Sequence, residues 1–323
     1  MEFRELGNSG IKVSAIGLGT WQWGSREWGW GRHYGKKDVL DAFEKAIELG
    51  INFVDTAEVY GRGQSEELLG EAIQGHKEDV VIATKVSPWN LTNRRVQKAA
   101  HRSLQRLGVD VIDLYQVHWP NPVVPIRGTM KAMRRLVQDG SVRCVGVSNF
   151  RLGKMKAAQG ALAPMNLVSN QVKYNVFDRG IESDVLPYAK SEGISIIAYS
   201  PLAQGLLTGK YSEKNRPSSF VQKMNSKFSS NNLRRLGQFQ QILSTIAQTY
   251  GKTPSQIALN WLLRQENVVA IPGIKKPDHV VDNAGAMGWR LADADAESLE
   301  RAASEIRFDR ISALPSILRA VMK

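Results

Sequence analysis

The segment GINFVDTAEVYG, residues 50–61, contains a short apolar run that ends on a carboxylate. Phe53 and Val54 directly precede Asp55, and Tyr60 follows five residues later. A short apolar run of this kind is typical of a strand that is buried on both faces. Polar residues at the carboxyl ends of such strands carry the chemistry of parallel barrels. Asp55 and Tyr60 are therefore candidate catalytic residues.

Two further apolar runs end on ionisable side chains. Residues 80–84 lead to Lys85, and residues 111–117 lead to His118. Taken alone, any one of these residues is most simply explained as a solvated strand end or a loop hydrogen-bonding group. Our interpretation therefore depends on all four residues together.

The four side chains can together polarise and protonate a carbonyl group. Tyr has an unperturbed pKa of about 10, so Tyr60 needs a nearby cation if it is to exchange a proton near neutral pH. Lys85 can be that cation. A buried Lys tends to lose its proton, and Asp55 on the neighbouring strand can keep it charged. His118 can then donate a hydrogen bond to the carbonyl oxygen.

Strands alternate with amphipathic helices along the whole chain, a pattern that is typical of a parallel sheet with helices outside it. We count eight strand–helix units, with strands near residues 16–19, 53–55, 80–84, 111–117, 142–147, 167–170, 195–199 and 268–271. A hairpin with strands at residues 3–6 and 11–13 precedes them and is expected to close the barrel bottom. Thr253 and Pro254 predict the start of a helix. The predicted fold is α/β, a (β/α)8 TIM barrel with an N-terminal β-hairpin and extra C-terminal helices, and residues 1–323 are expected to form a single domain.

Five stretches resemble the signatures of the aldo-keto reductases in both order and spacing. They are residues 50–61, DLYQVHWP (113–120), GVSNF (146–150), QVKYN (171–175) and AYSPLAQGLLTGK (198–210). The chain is identified as a member of that family, and it resembles bacterial-type members related to the potassium-channel β subunits. The resemblance implies NADPH-dependent reduction of aldehydes and ketones to alcohols. It also implies that Asp55, Tyr60, Lys85 and His118 are catalytic, with Tyr60 as the general acid.

The family resemblance implies a cofactor site in the loops that follow the strands, although no Gly-x-Gly-x-x-Gly fingerprint follows a strand. The implied positions are Gly19, Thr20, Trp21, Asp55, Ser148, Asn149, Gln171, Tyr199, Ser200, Pro201, Leu202, Gly205, Leu206, Lys210, Ile271, Gly273, Lys275, His279, Asp282 and Asn283. His279 stands where many members carry an Arg, and His holds a 2′-phosphate more weakly. Lys275 can restore that charge, so NADPH is favoured over NADH.

Aromatic residues predict the substrate site. The candidates are Trp21, Trp23, Trp30, Tyr60, Trp89, His118 and Trp119, each of which follows a predicted strand. Aromatic walls favour apolar or aromatic aldehydes and ketones. Packing in the core or in a lid is the other interpretation of each Trp.

The formal net charge of +12 raises the question of an anionic partner. Residues 205–252 hold eight Lys or Arg residues against Glu213 alone. In the family this segment folds across the cofactor pyrophosphate, which gives the charge an anionic target; a solvated basic loop is the alternative. No helix-turn-helix, zinc-finger or RNA-binding signature accompanies the charge, so a nucleic-acid partner is not expected.

The remaining features describe an ordinary globular enzyme. Cys144 is the single cysteine, so no internal disulfide can form and a reducing compartment is expected. Neither a signal peptide nor an apolar run of about 20 residues is present, so a cytoplasmic location without a membrane partner is expected. No metal site is expected among the His, Cys and carboxylate residues. The oligomeric state stays open.

A rival function comes from a different class of protein. The channel β subunits share the barrel, the cofactor site and a similar Leu-Leu-Thr-Gly-Lys-Tyr sequence, which here is residues 206–211. A regulatory NADPH-binding subunit with slow or vestigial turnover is therefore the alternative to a general carbonyl reductase. The presence of all four candidate catalytic residues favours the enzyme.

Overall fold

The computed structural model of the chain describes residues 1–309. An antiparallel hairpin of β1 (Phe3–Glu5) and β2 (Lys12–Ser14) comes first. Eight parallel strands follow: β3 (Leu18–Gly19), β4 (Phe53–Asp55), β5 (Val81–Val86), β6 (Ile112–Val117), β7 (Val142–Ser148), β8 (Leu167–Lys173), β9 (Ser195–Tyr199) and β10 (Val268–Ile271). Each pairs with the next in sequence, and parallel bridges from Ile16 to Ala270 and from Gly19 to Gly273 bring β10 against the start of the sheet. The result is a nearly closed barrel.

Helices cover the outside of the barrel, as βαβ crossovers require. They are α1 (Lys36–Glu48), α2 (Gln64–Ala72), α3 (Asn93–Leu107), α4 (Ile126–Gln138), α5 (Leu152–Leu162), α6 (Val185–Ser191), α7 (Phe220–Met224), α8 (Ser230–Arg235), α9 (Gly237–Tyr250), α10 (Pro254–Leu263), α11 (Pro277–Ala284) and α12 (Asp293–Glu305). The predicted TIM barrel with its N-terminal hairpin is confirmed. Helix α12 follows the last barrel helix as an extra C-terminal helix, and residues 310–323 lie outside the described residues. Among residues 1–309, no helix has both the length and the apolar character to cross a membrane.

Local sequence explains several element boundaries. Helix α10 begins at Pro254 as predicted, because the Thr253 side chain accepts a hydrogen bond from the Gln256 backbone N–H and the Gln256 side-chain oxygen accepts one from the Thr253 backbone N–H. Strand β5 was expected to end before Lys85, but it continues through Lys85 to Val86. A parallel barrel strand is covered by helices on one face and by the barrel interior on the other. A polar residue such as Lys85 can point into the interior without ending the strand, so its polarity does not mark the end of β5.

The barrel interior below the site is apolar. Because side chains alternate along a strand, every second residue points inward. Five of these residues, Phe53, Ala83, Leu114, Ile197 and Val269, are fully buried in one apolar cluster, which we call the apolar layer. Hairpin residues Leu6, Ile11 and Val13 belong to the same cluster, so the hairpin closes this end of the barrel.

Candidate active site

Four polar side chains lie above the apolar layer. Asp55, Lys85 and Gln116 each follow a member of the apolar layer by two residues, so the same alternation points them inward. Gln171 of β8 reaches the same level, and all four are buried. We call these four residues the polar layer. Ions and amides this far from water are tolerated only where their hydrogen bonds are satisfied.

Lys85 makes three hydrogen bonds within this site. Its Nζ donates to Asp55 Oδ1 at 2.6 Å, to the Thr56 carbonyl oxygen at 2.7 Å and to the Tyr60 hydroxyl at 3.3 Å. Burial acts to lower the pKa of Lys85, but the Asp55 carboxylate and the contacts with Asp55 and Tyr60 outweigh it, so this pKa lies above its ordinary value. Lys85 is therefore a fixed cation directed at the Tyr60 oxygen.

Tyr60 meets opposing electrostatic influences. Burial raises its pKa, the Lys85 ammonium lowers it, and the Asp55 carboxylate raises it again, with a net result above the ordinary value. Lys85 thus acts in the expected direction, but it does not overcome burial. Tyr60 keeps its proton at neutral pH and is available as a proton donor.

His118 faces Tyr60 across the mouth of the barrel. Their ring centroids lie 5.6 Å apart with the planes at 81°. Burial, followed by the Lys85 charge, lowers the pKa of His118 to about 3. The imidazole is therefore neutral under physiological conditions and has one N–H to donate. Within residues 1–309, His118 Nδ1 is buried and has no hydrogen-bond partner.

A cleft of about 890 Å³ opens above the polar layer at the carboxyl ends of the strands. Nineteen of the twenty predicted cofactor positions line it, and Leu206, which is fully buried, is the exception. Asp55, Tyr60 and His118 also line it, whereas Lys85 lies beneath the wall. The structure therefore brings together residues from positions 19 to 283 of the chain.

Three predicted substrate residues do not line the cleft. Trp23 is fully buried, and its indole N–H donates to the Ile274 carbonyl oxygen at 3.0 Å. Trp30 packs edge-on against Tyr34 with 5.6 Å between ring centroids. Trp89 is 72% exposed and lies outside the cleft. Proximity to a strand end does not decide which side of a loop a side chain takes, so these three predicted substrate residues lie outside the cleft.

Trp21 and Trp119 do line the cleft, and they are joined by residues that sequence reasoning missed. Trp28 is the most informative of these. It contacts Trp21 edge-on at 5.1 Å, is buried, and has an indole nitrogen without a hydrogen-bond partner in the described chain. The other missed lining residues are Gln22, Val59, Gln204, Thr208, Tyr211, Gln222, Thr253, Pro254, Ser255 and Pro272.

Four non-glycine residues that line or flank the cleft have left-handed backbone conformations. Asn149, Ser200, Ala203 and Gln204 have φ values of 62°, 50°, 49° and 57°. Such conformations persist where surrounding contacts impose them, and they cluster at functional sites. The Tyr199 hydroxyl donates to Asn149 Oδ1 at 3.0 Å, and the Asn149 amide donates to the His118 carbonyl oxygen at 3.2 Å. These bonds hold the loop after β7 against the cleft.

The far end of the cleft is basic. Lys210, Lys275 and His279 line it. Lys275 lies over the rings of Tyr34 and Trp28 and donates to the Trp28 carbonyl oxygen at 3.1 Å. Burial and the charge of Lys210 lower the pKa of Lys275 to about 8. Burial and both lysines also lower the pKa of His279.

Most of the basic residues between positions 205 and 252 do not line the cleft. Lys227 pairs with Asp178, and Arg234 pairs with Glu213. Of the basic residues in this segment, Lys210 lines the cleft. The segment does reach across the site, since α7 contacts the turn at Arg26–Trp28. Among the described residues, no group of three or more His, Cys, Asp or Glu side chains is arranged to hold a metal ion.

Comparison with known proteins identifies the family. The model of the aldo/keto reductase family matches residues 15–304. The chain belongs to the aldo/keto reductase family. This aldo-keto reductase is 41% identical over 296 residues to an uncharacterized oxidoreductase of Mycobacterium tuberculosis. The aligned region covers 92% of this chain and 91% of the relative. It is also 33% identical over 307 residues to a putative voltage-gated potassium channel β subunit of Schizosaccharomyces pombe, covering 88% of each chain.

A solved structure supports the same assignment. The crystal structure of an aldo-keto reductase from Klebsiella pneumoniae in complex with NADPH has a TM-score of 0.78 and 31% sequence identity to this chain, and the match covers 96% of this chain and 99% of the other. Family and relatives together show that this aldo-keto reductase is an oxidoreductase.

Proposed function

We propose that this aldo-keto reductase uses NADPH to reduce aldehydes and ketones to alcohols. The observation that carries the proposal is the position of the Tyr60 hydroxyl, 3.3 Å from Lys85 Nζ and on the wall of the cleft. His118 lies across from it as a neutral hydrogen-bond donor. This arrangement suits a carbonyl oxygen that gains negative charge and then a proton.

Each side chain has a distinct part in the proposed reaction. NADPH, when bound, supplies the hydride that reaches the carbonyl carbon. Tyr60 gives its proton to the carbonyl oxygen, and Lys85 stabilises the phenolate that is left. Asp55 keeps Lys85 charged, and His118 donates to the carbonyl oxygen. A preorganised donor of this kind contributes about 3 kcal/mol, or roughly a hundredfold in rate.

The residues present fit the proposed cofactor. Trp28 offers a buried indole N–H and Gln22 a buried amide oxygen, and both lack partners in the described chain. Gly273 exposes its backbone to the cleft, where a Cβ would collide with Gln22. Lys210 and Lys275 place positive charge at the end where an anionic adenosine phosphate would lie. These polar and basic groups therefore suit a large anionic dinucleotide. The Klebsiella pneumoniae relative that was solved with NADPH supports NADPH as that dinucleotide.

The proposal makes a prediction about pH. Because the pKa of His118 is about 3, its protonation cannot alter carbonyl reduction near neutrality. Tyr60 stays protonated over the same range, since its pKa is raised. We expect kcat for reduction to be nearly constant from about pH 5 to about pH 9. An acidic limb near the ordinary His pKa that is abolished by His118→Asn would contradict a neutral His118.

Coenzyme selectivity should depend on Lys275. Lys275→Met is expected to weaken NADPH binding by about tenfold and to leave NADH binding unchanged, because only NADPH carries the 2′-phosphate. Since the pKa of Lys275 is about 8, it loses charge as the pH rises, and the NADPH preference of the unaltered protein should fall between about pH 7 and about pH 9. Quenching of tryptophan fluorescence measures both affinities.

Lys276→Met is the matched control for that experiment. Lys276 is adjacent, exposed and absent from the cleft wall. Equal losses for NADPH and NADH in Lys275→Met would show that Lys275 supports the cleft rather than the 2′-phosphate. An unchanged NADPH affinity would assign the phosphate to Lys210 and His279.

The rival function is a regulatory NADPH-binding subunit of the channel-β type with slow turnover. The likeness to the putative channel subunit of S. pombe favours it. The completeness of the Asp55, Tyr60, Lys85 and His118 arrangement favours the enzyme. Loss of NADPH absorbance with 4-nitrobenzaldehyde and methylglyoxal, with NADH run alongside, separates the two. Rapid turnover supports the reductase; tight NADPH binding without turnover on any carbonyl supports the rival.

We also propose that residues 1–323 form one domain and that the protein works in the cytoplasm. The barrel elements run without interruption from β1 to α12, which supports a single unit. The single cysteine, Cys144, is consistent with a reducing compartment.

A further inference from the structure

Gln116 is a fully buried amide in the middle of β6 that the proposed chemistry leaves without a role. It lies between Leu114 of the apolar layer and His118 at the strand end, and all three share the inward face. Its Nε2 donates to Asp55 Oδ2 at 3.1 Å. Unlike Asp55 and Gln171, it does not line the cleft, so a bound cofactor or substrate is not its partner.

The sheet is built to admit this side chain. In the parallel register Gln116 pairs with Lys85 on β5 and with Gly146 on β7. A Cβ at position 146 would lie 3.0 Å from Gln116 Cγ and still closer to Ser169 Oγ. Gly146 therefore leaves the space that the Gln116 amide occupies.

The Asp55 carboxylate is held from both sides. Its Oδ1 accepts from Lys85, and its Oδ2 accepts from Gln171 at 2.7 Å as well as from Gln116. Gln171 borders the cleft and is a proposed cofactor contact, so its amide serves two sites. Gln116 contacts the carboxylate, and its Oε1 accepts a hydrogen bond from Gln171 Nε2 at 3.4 Å. A buried amide is costly unless bonded, and methionine would fill the same space without that cost.

We propose that Gln116 is a positioning residue for proton transfer. By holding Asp55 Oδ2, it keeps Oδ1 directed at Lys85 and so keeps the Lys85 ammonium directed at the Tyr60 hydroxyl. The inference rests on the proposed function. It assigns no contact with substrate or cofactor to Gln116, which acts through Asp55.

Two near-isosteric variants test the inference. Gln116→Met removes the donor and keeps the volume. Gln116→Glu replaces the N–H donor with a carboxyl group that can donate only while it is protonated. The titratable groups around it are Asp55 on β4, Lys85 on β5, Tyr60 after β4 and His118 at the end of β6. The neighbouring Asp55 carboxylate raises the pKa of the introduced carboxyl, so it donates at low pH and repels Asp55 at high pH.

The expected results follow from the presence or absence of that donor. Gln116→Met should lower kcat by about tenfold at every pH, with KM for 4-nitrobenzaldehyde and Kd for NADPH within about twofold of the unaltered protein. Gln116→Glu should show a kcat ratio to the unaltered protein that is close to one at low pH and falls as the pH rises. Leu114→Met, one level below in the apolar layer, is the control for repacking and should retain full kcat.

Several outcomes would overturn the inference. Full kcat in a folded Gln116→Met protein, checked by its thermal unfolding midpoint, would show that the donor is not needed. A pH-independent ratio for Gln116→Glu, or a loss of NADPH affinity with kcat unchanged, would mean that Gln116 only packs or only supports the cofactor cleft. If the unaltered protein reduces no carbonyl, the proposed function fails, and the role of Gln116 in proton transfer fails with it.

Discussion

Tyr60→Phe is expected to reduce kcat for carbonyl reduction by about a thousandfold. The change removes only the hydroxyl that Lys85 contacts at 3.3 Å, and the phenyl ring keeps its place beside His118 and Trp21. The proposed general acid is then missing, and water must supply the proton. Stopped-flow loss of NADPH absorbance gives the rate, and fluorescence titration should give a Kd for NADPH within about twofold of the unaltered protein.

Tyr188→Phe is the matched control. Tyr188 lies on α6, on the outside of the barrel, and it is not among the residues of the cleft wall. It should retain full kcat. A Tyr60→Phe protein that still turns over at more than about a tenth of the normal rate would assign the proton to another group. A large fall in NADPH affinity would instead make Tyr60 a cofactor contact.

The sequence was sufficient to predict the fold and most strand positions, although β5 runs past Lys85 to Val86. Asp55, Lys85 and His118 stand out because short apolar runs end beside ionisable residues, and a parallel barrel brings its strand ends together. The same alternation predicts Gln116 in principle, since Leu114, Gln116 and His118 lie at intervals of two. Gln116 lies inside β6, so a pattern of polar residues at strand ends does not select it.

The loop residues could not be predicted so well, for a physical reason. Trp21, Trp23 and Trp28 all lie in the segment after β3, yet Trp23 packs into the core while the other two line the cleft. Which side each takes is decided by contacts with distant elements, such as the hydrogen bond from Trp23 to the Ile274 carbonyl oxygen. Such contacts leave no local signal in the sequence.

Lys85→Met is expected to have the second large effect, on stability as well as on activity. The variant leaves the Asp55 carboxylate buried without its cation, and breaking a buried ion pair in this way costs about 3–5 kcal/mol in the free energy of unfolding. Activity should fall by about a thousandfold, since Tyr60 then has no cation to stabilise its anion. Denaturant unfolding and NADPH oxidation measure the two effects.

Lys37→Met provides the matched control for an ion pair in water. Lys37 and Asp41 form a contact of the same 2.6 Å length as Lys85 and Asp55, but the Lys37 side chain is 87% exposed. Exposed pairs contribute little because water solvates both partners. Its loss should leave both stability and activity unchanged, which would confirm that burial rather than pairing sets the cost at Lys85.

The double variant Lys85→Met/Asp55→Asn separates the two effects of the pair. Removing both charges leaves no unpaired ion, so most of the lost stability should return. The Asn side chain can still bond to Gln116 and Gln171 through its carbonyl oxygen. Activity should not return, because the cation beside Tyr60 is still absent. Recovery of both stability and activity would mean that Lys85 matters only for folding. Recovery of stability alone would establish that the buried Lys85 charge, which is costly to the fold, is retained for its effect on the Tyr60 proton.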